Sequence, residues 1–132
     1  MGGQALPVAE RIRRRPEFER VYNAGAKVHG RFMTVFVLAN GGARPRLGVA
    51  ATRKIGSSVD RNRAKRLARE VFRRHKVAAS LDIVVVPRRE MLNASFANLE
   101  ADYHAVLQRS GRESSSAGRF RRRRRDRAAP GV

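Results

Sequence analysis

At 132 residues the chain has room for one modest core, which excludes a multidomain enzyme. Its 30 Lys and Arg stand against 11 Asp and Glu, a formal charge of +19 whose self-repulsion calls for a polyanion, with nucleic acid the obvious candidate. Cysteine is absent, which removes disulfides, thiolate metal sites and cysteine nucleophiles; no apolar run nears the ~20 residues of a membrane span and Met1–Val8 lacks a signal-peptide core, so a cytoplasmic protein with no membrane contact is expected.

Residues 1–11 are expected to form a flexible N-terminus. From Pro16 through Tyr22 the pattern predicts a short helix, with proline in the first turn, Glu17 and Glu19 near the positive end of the dipole and Gly25 just past the end; Phe18, Val21 and Tyr22 share its apolar face. Lys27–Ala39 reads as a strand, Phe32, Thr34, Phe36 and Leu38 alternating with Met33, Val35 and Val37. Asn40, Gly41 and Gly42 mark a turn, and Arg46–Thr52 reads as a second strand that would pair with the first as an antiparallel hairpin. Ser57 or Ser58 is the expected N-cap of a helix running to about Lys76. Leu81–Pro87 is a short, continuously apolar strand, and Ser95–Gln108 a final helix with Phe96, Leu99, Tyr103, Val106 and Leu107 on one side.

The order helix, two or three strands, helix, strand, helix predicts an α+β fold, an α/β sandwich with about four strands in one mixed sheet and three helices, as a single domain over 12–108. Beyond it, residues 109–132 carry nine arginines against Glu113 and Asp126, a net +7 that includes the run Arg121–Arg125. This composition cannot build a core and predicts a disordered arginine-rich tail, either an arm on RNA phosphates or a solubilising extension.

The densest charge of the domain lies between Arg53 and Lys76, where ten basic residues face Asp60 and Glu70. On a helical wheel Ala64, Leu67, Ala68, Val71 and His75 fall on one side, and Arg61, Lys65, Arg69, Arg73 and Lys76, with Asn62 and Arg66 beside them, on the other. Glu70 stands four residues from both Arg66 and Arg74 and is expected to pair with them at the margin. A merely solvated face would interleave both signs; a nearly pure cationic one repels itself by about 0.2–0.5 kcal/mol per pair, which favours phosphate binding. Arg53, Lys54 and Gly56 precede the helix N-terminus as a second phosphate-binding corner, although an ordinary strand-to-helix turn looks much the same.

The stretch T-R-K-I-G-S-S-V-D-R-N-R-A-K-R-L-A-R-E, Thr52 to Glu70, resembles the signature K-K-x-G-x-A-V-x-R-N-R-x-K-R-x-x-R of the bacterial ribonuclease P protein subunit. Arg61, Asn62, Arg63, Lys65, Arg66 and Arg69 match it position by position; Arg53 stands for a common lysine and Ser58 for a common alanine. The resemblance runs from about Ile12 to Gln108 through P-E-F-E-R-V-Y, G-R-F and D-I-V-V-V-P-R. It implies a sheet with a left-handed β-α-β crossover, and a basic helix lying on the catalytic RNA of a ribonucleoprotein that cleaves the 5′ leader from precursor tRNA. A cleft between the sheet and this helix would accept the leader, lined by Phe18, Tyr22 and Phe36. Read without the resemblance, the same three aromatics could simply be core.

His29, His75 and His104 are scattered, and His75 reads as a packing residue on the apolar side of its helix. With no acid-base pair or nucleophile constellation the chain has no evident catalytic or metal-binding residues. The resemblance implies that Mg²⁺ is held mainly by the RNA subunit and substrate, without an organic cofactor, and no obligate protein partner is evident. The competing expectation, from another class, is a structural rRNA-binding protein of the ribosome, which shares size, basicity and α/β character.

Overall fold

The computed structural model describes residues 6–42, 44–75 and 80–111. In chain order they form α1 (Arg15–Ala24), β1 (Ala26–His29), β2 (Met33–Ala39), β3 (Arg46–Val49), α2 (Ser58–Arg74), β4 (Leu81–Pro87) and α3, helical over 96–111. The α+β class holds, with three helices on one four-stranded mixed sheet.

The strand pairing departs from expectation. Lys27–Ala39 is two strands, β1 and β2, paired antiparallel from Ala26↔Val37 to His29↔Thr34. The break is fixed at Gly30, whose amide donates to the Met33 carbonyl at 2.7 Å, and at Arg31 and Phe32, whose amides each donate to the Asp102 carboxylate at 2.9 Å. A Cβ on Gly30 would fall within 2.8 Å of the Val106 and Asp102 side chains, so only glycine lets α3 seat there. The expected hairpin between Lys27–Ala39 and Arg46–Thr52 does not form. The sheet order is β1-β2-β4-β3, with β4 between the two supposed partners. β4 matches β2 over seven residues, Met33↔Pro87 to Ala39↔Leu81, and its apolar run from Ile83 to Val86 suits a central strand covered on both faces. β3 lies parallel on the far edge of β4, Arg46↔Asp82 to Val49↔Val85, as a strand must when a helix returns the chain to its neighbour.

Both ends of the domain are also corrected. Leu6 is buried, residues 8–10 form a 3-10 turn, Arg11 bridges to Leu47, and the Ile12 amide donates to the Leu47 carbonyl at 2.9 Å. The chain is therefore packed from Leu6, not flexible to residue 11. At the other end α3 continues past Gln108 through residue 111, with Ser110 buried. Residues 1–5, Lys76 and the arginine tail from 112 onward lie outside the described residues.

The two faces of the sheet are covered differently. Val28, Met33, Val35, Val37, Leu47, Ile83 and Val85 pack under Ala64, Ala68, Val71 and Phe72 of α2 and Leu99, Tyr103 and Val106 of α3. On the opposite face Val84 lies with Phe36, Leu38 and Val86 under Ile12, Phe18, Val21 and Tyr22. Gly48 makes the α1 packing possible, since a Cβ there would meet the Phe18 ring at 2.8 Å and Ile12 at 3.0 Å.

A buried carboxylate pins α1 to the sheet. Asp82, fully buried on β4, accepts from Arg46 Nε at 2.9 Å and Nη2 at 2.8 Å, from Arg20 Nη2 at 3.0 Å and from Asn40 Nδ2 at 2.9 Å. Arg46 Nη1 also donates to Glu17 on α1 at 3.3 Å. Burial alone would raise the Asp82 carboxyl, but hydrogen bonds from Arg46 and Asn40 and the Arg46 and Arg20 charges hold it below the ordinary carboxylate range. The same partnership raises Arg46 further above its usual value.

Candidate nucleic-acid interface

The basic helix begins at a turn only glycine can make. Gly56 has φ +140, and a Cβ there would run into the Asp60 carboxylate. The turn brings Ser57, rather than Ser58, to the N-cap: its hydroxyl accepts from the Asp60 amide at 3.2 Å while the Asp60 carboxylate accepts from the Ser57 amide at 3.1 Å. Arg53 and Lys54, both exposed, stand on the 3-10 turn just before it, with Thr52 Oγ1 accepting from the Lys54 amide at 3.3 Å.

Along α2 the cationic residues divide by environment. Asn62, Arg63, Arg66 and Arg69 are exposed. Arg61 and Lys65 are half-buried, and Phe72, which the helical wheel left out of the apolar side, is fully buried. Arg61 folds back to donate from Nη1 to the Gly56 carbonyl at 3.0 Å, so part of its donor set stabilises the turn. Although exposed overall, Arg69 is lowered from the usual arginine range by partial desolvation and by the nearby Arg11 charge, which brings a cation of the N-terminal segment to the edge of this face.

Glu70 does not pair with Arg66 as expected. It takes both Arg73, at 2.6 and 3.3 Å, and Arg74, at 2.8 Å, and those hydrogen bonds lower its carboxyl below the ordinary range. Arg73 is thus engaged within the helix, while Arg66 keeps its charge for a partner. His75 is no packing residue: the helix ends at Arg74, the backbone turns to φ −125 and ψ 49, and the ring sets Nε2 at 2.8 Å from Glu100 on α3. A wheel cannot be extrapolated past the cap.

Phe18, Tyr22 and Phe36 do come together. The Phe18 and Tyr22 rings are 6.3 Å apart and tilted, and Tyr22 meets Phe36 edge-on at 4.9 Å. All three are half-buried, packed on the cluster of Ile12, Val21 and Val84. Their place, however, is between α1 and the sheet, on the face opposite α2, not in a cleft formed with the basic helix. The register also reveals a residue the sequence reading missed. Lys27 stands opposite Phe36, with Nζ 5.5 Å from the ring centroid. Treating residues 27–39 as one strand hid that pairing; a hairpin turn at Gly30 is the signal that would have shown it.

Half-buried aromatic rings with a cation over one of them suit unpaired bases, whose π faces stack regardless of sequence. The exposed arginines of α2, carried on a capped helix, suit the phosphates of a folded nucleic acid. Among the described residues no group of three or more His, Asp or Glu could hold a metal ion. Nor is any helix among them long and apolar enough to cross a membrane.

Residues 6–111 match the family model for ribonuclease P. The chain is 40% identical over 113 residues to the ribonuclease P protein component of Desulfovibrio desulfuricans, covering 81% of this chain and 87% of that one. The RNase P protein from Thermotoga maritima has a similar structure, with a TM-score of 0.68 and 32% identity over 76% of this chain and 96% of that one. That from Staphylococcus aureus gives 0.67 and 31%, over 75% and 93%.

Proposed function

The chain belongs to the ribonuclease P protein family, and from that premise we propose that α2 binds the catalytic RNA while the aromatic cluster of α1 and β2 takes the 5′ leader of precursor tRNA. As a ribonuclease P protein component it is part of an endoribonuclease and works with an RNA subunit. Its relatives lend no support to the ribosomal alternative. The observation that carries the finer reading is the separation of the two surfaces: exposed Asn62, Arg63, Arg66 and Arg69 on one side of the sheet, and half-buried Phe18, Tyr22 and Phe36 on the other.

Two surfaces on opposite sides of a thin sheet let one protein touch two RNAs at once. The α2 cations screen phosphates and displace counterions, which favours compact RNA and the complex with substrate. The aromatic cluster stacks a few unpaired bases, at about 1–3 kcal/mol per base, and so distinguishes a precursor with a leader from mature tRNA without reading sequence. Phosphodiester cleavage is assigned to the RNA subunit, with Mg²⁺ held by the RNA and substrate to activate water and stabilise the leaving oxygen. The protein supports that chemistry by neutralising charge, and its place of action is the cytoplasm.

The test is cleavage of precursor tRNA by the cognate catalytic RNA at low Mg²⁺, with and without the protein. Enhancement by the protein is expected; equal rates would contradict the assignment.

A further inference from the structure

We propose that the single-strand site extends past the aromatic cluster along the same sheet face as a cationic track of Lys27, His29, Thr34 and Arg88, which holds the phosphates of the next leader nucleotides. The inference rests on the leader reading above and extends its length and chemistry.

The register places these groups together. In β1 Val28 is buried toward α2 and α3, so Lys27 and His29 alternate onto the opposite face, across from Phe36 and Thr34. The two rungs are two residues apart along the strand, ~7 Å, close to the spacing of neighbouring phosphates in an extended single strand. His29 Nδ1 lies 3.1 Å from Thr34 Oγ1, and Arg88, just beyond β4, brings Nη2 to 3.5 Å from the same hydroxyl. Lys27, His29 and Arg88 are all exposed.

The charge balance of the track is unlike that of the structural arginines nearby. Arg20 and Arg46 both end on Asp82, whereas no carboxylate among the described residues forms an ion pair with Lys27, His29 or Arg88. The charged groups around His29 are Lys27 on β1, Arg88 after β4 and Arg109 on α3, whose Nη2 donates to the His29 carbonyl at 3.0 Å. Asp102, also on α3, is engaged by the Arg31 and Phe32 amides. An anion seated on these groups relieves their mutual repulsion, and the hydroxyl and imidazole add hydrogen bonds to the cations.

A titration signature follows. Partial desolvation by its neighbours, then the Lys27 and Arg88 charges, hold the exposed His29 ring below its ordinary pKa, so it is neutral at about pH 7.5 and becomes cationic only as pH falls through that lowered value. A bound phosphate favours the cation, so leader binding takes up a proton and tightens on acidification.

The experiment measures affinity of the full-length protein, assembled with its catalytic RNA, for precursor tRNAs whose leaders range from one to about ten nucleotides, with mature tRNA as reference. Wild type should gain affinity with the first nucleotides and again as the leader reaches the track. A Lys27→Gln, His29→Gln double variant should keep the first gain and lose the second, at about pH 7.5 on the order of threefold with a salt slope shallower by about 0.7 for the Lys27 charge, and by a second contact only below the His29 transition. Lys27→Arg in the His29-containing protein should retain the whole profile, which separates charge from strand stability. His29→Gln alone should remove the leader-specific tightening between about pH 7.5 and about pH 5.5. A double variant with the wild-type length profile and salt slope overturns the track while leaving the aromatic site intact. Equal wild-type affinity for precursor and mature tRNA at every length overturns the leader reading and the track with it.

Discussion

The two faces of this sheet share strands but not purpose. Under α2 and α3, Phe72, Tyr103, Leu99, Val35 and Ile83 are sealed from water, and the helices' polar sides are left to face outward. Under α1, a helix of ten residues covers only part of its face, and Phe18, Tyr22 and Phe36 remain half-buried. The closed face supplies stability and a rigid platform for α2, the proposed RNA-binding helix; the open face gives up some burial and leaves the rings available for the proposed stacking. Charge follows the same division. Asp82 engages the charges that hold α1 in place, whereas Arg63, Arg66 and Lys27 are exposed, which is what the proposed phosphate contacts need.

The largest effect should come from the link that holds the open face together. Asp82→Ala leaves Arg46, itself largely buried, with only Glu17 at 3.3 Å and should cost about 3 kcal/mol in denaturant unfolding. The carboxyl is depressed in the folded state relative to ~4 in the unfolded chain, so its contribution is complete above that value and lost as pH falls through the lowered folded one. Asp82→Asn should therefore flatten the acid limb of the stability profile; an unchanged limb would remove Asp82 from the account.

Next in size is the stacking surface. Phe36→Ala should weaken precursor binding by about 1–3 kcal/mol with little change for mature tRNA, measured as the ratio of the two affinities. Equal losses on both would make Phe36 a packing residue and erase the distinction between the faces. On the other side, Arg63→Ala with Arg66→Ala should weaken binding of the catalytic RNA and reduce its salt slope by roughly one counterion per contact, with unfolding unchanged within about 0.5 kcal/mol. A full slope would mean that these exposed arginines touch no phosphate.

The smallest effect tests the closed face. Tyr103 is buried with a hydroxyl that has no hydrogen-bond partner among the described residues, and burial raises its pKa. Tyr103→Phe should be neutral or stabilising by less than about 1 kcal/mol, since it removes an unsatisfied group and keeps the ring. A clear destabilisation would show that the hydroxyl has a partner.

What could be read from sequence was what is local. The cap at Ser57 or Ser58, the glycine before it, the apolar run of β4 and the aromatic pair four residues apart on α1 all act within a few residues, where propensity and spacing decide. Pairing was not local. The β2 partner comes from β4, more than forty residues on, and nothing in Arg46–Thr52 announces that it will lie parallel on the far edge. Asp82 was equally hidden: a single acid in an apolar strand means little until Arg20, Asn40 and Arg46 converge on it from three places in the chain. The aromatic cleft was placed beside the wrong helix for the same reason, because which sheet face a helix covers depends on the crossover. Lys27 disappeared into a strand that is really two.

The central claim is that the two faces bind different RNAs, and one paired titration addresses it directly. Affinity for the catalytic RNA alone, and the ratio of precursor to mature tRNA affinity in the assembled complex, are measured for Arg63→Ala/Arg66→Ala and for Phe36→Ala. The account predicts a crossed result, the arginine variant losing only the first quantity and the phenylalanine variant only the second. Parallel losses in both quantities from either variant would contradict it.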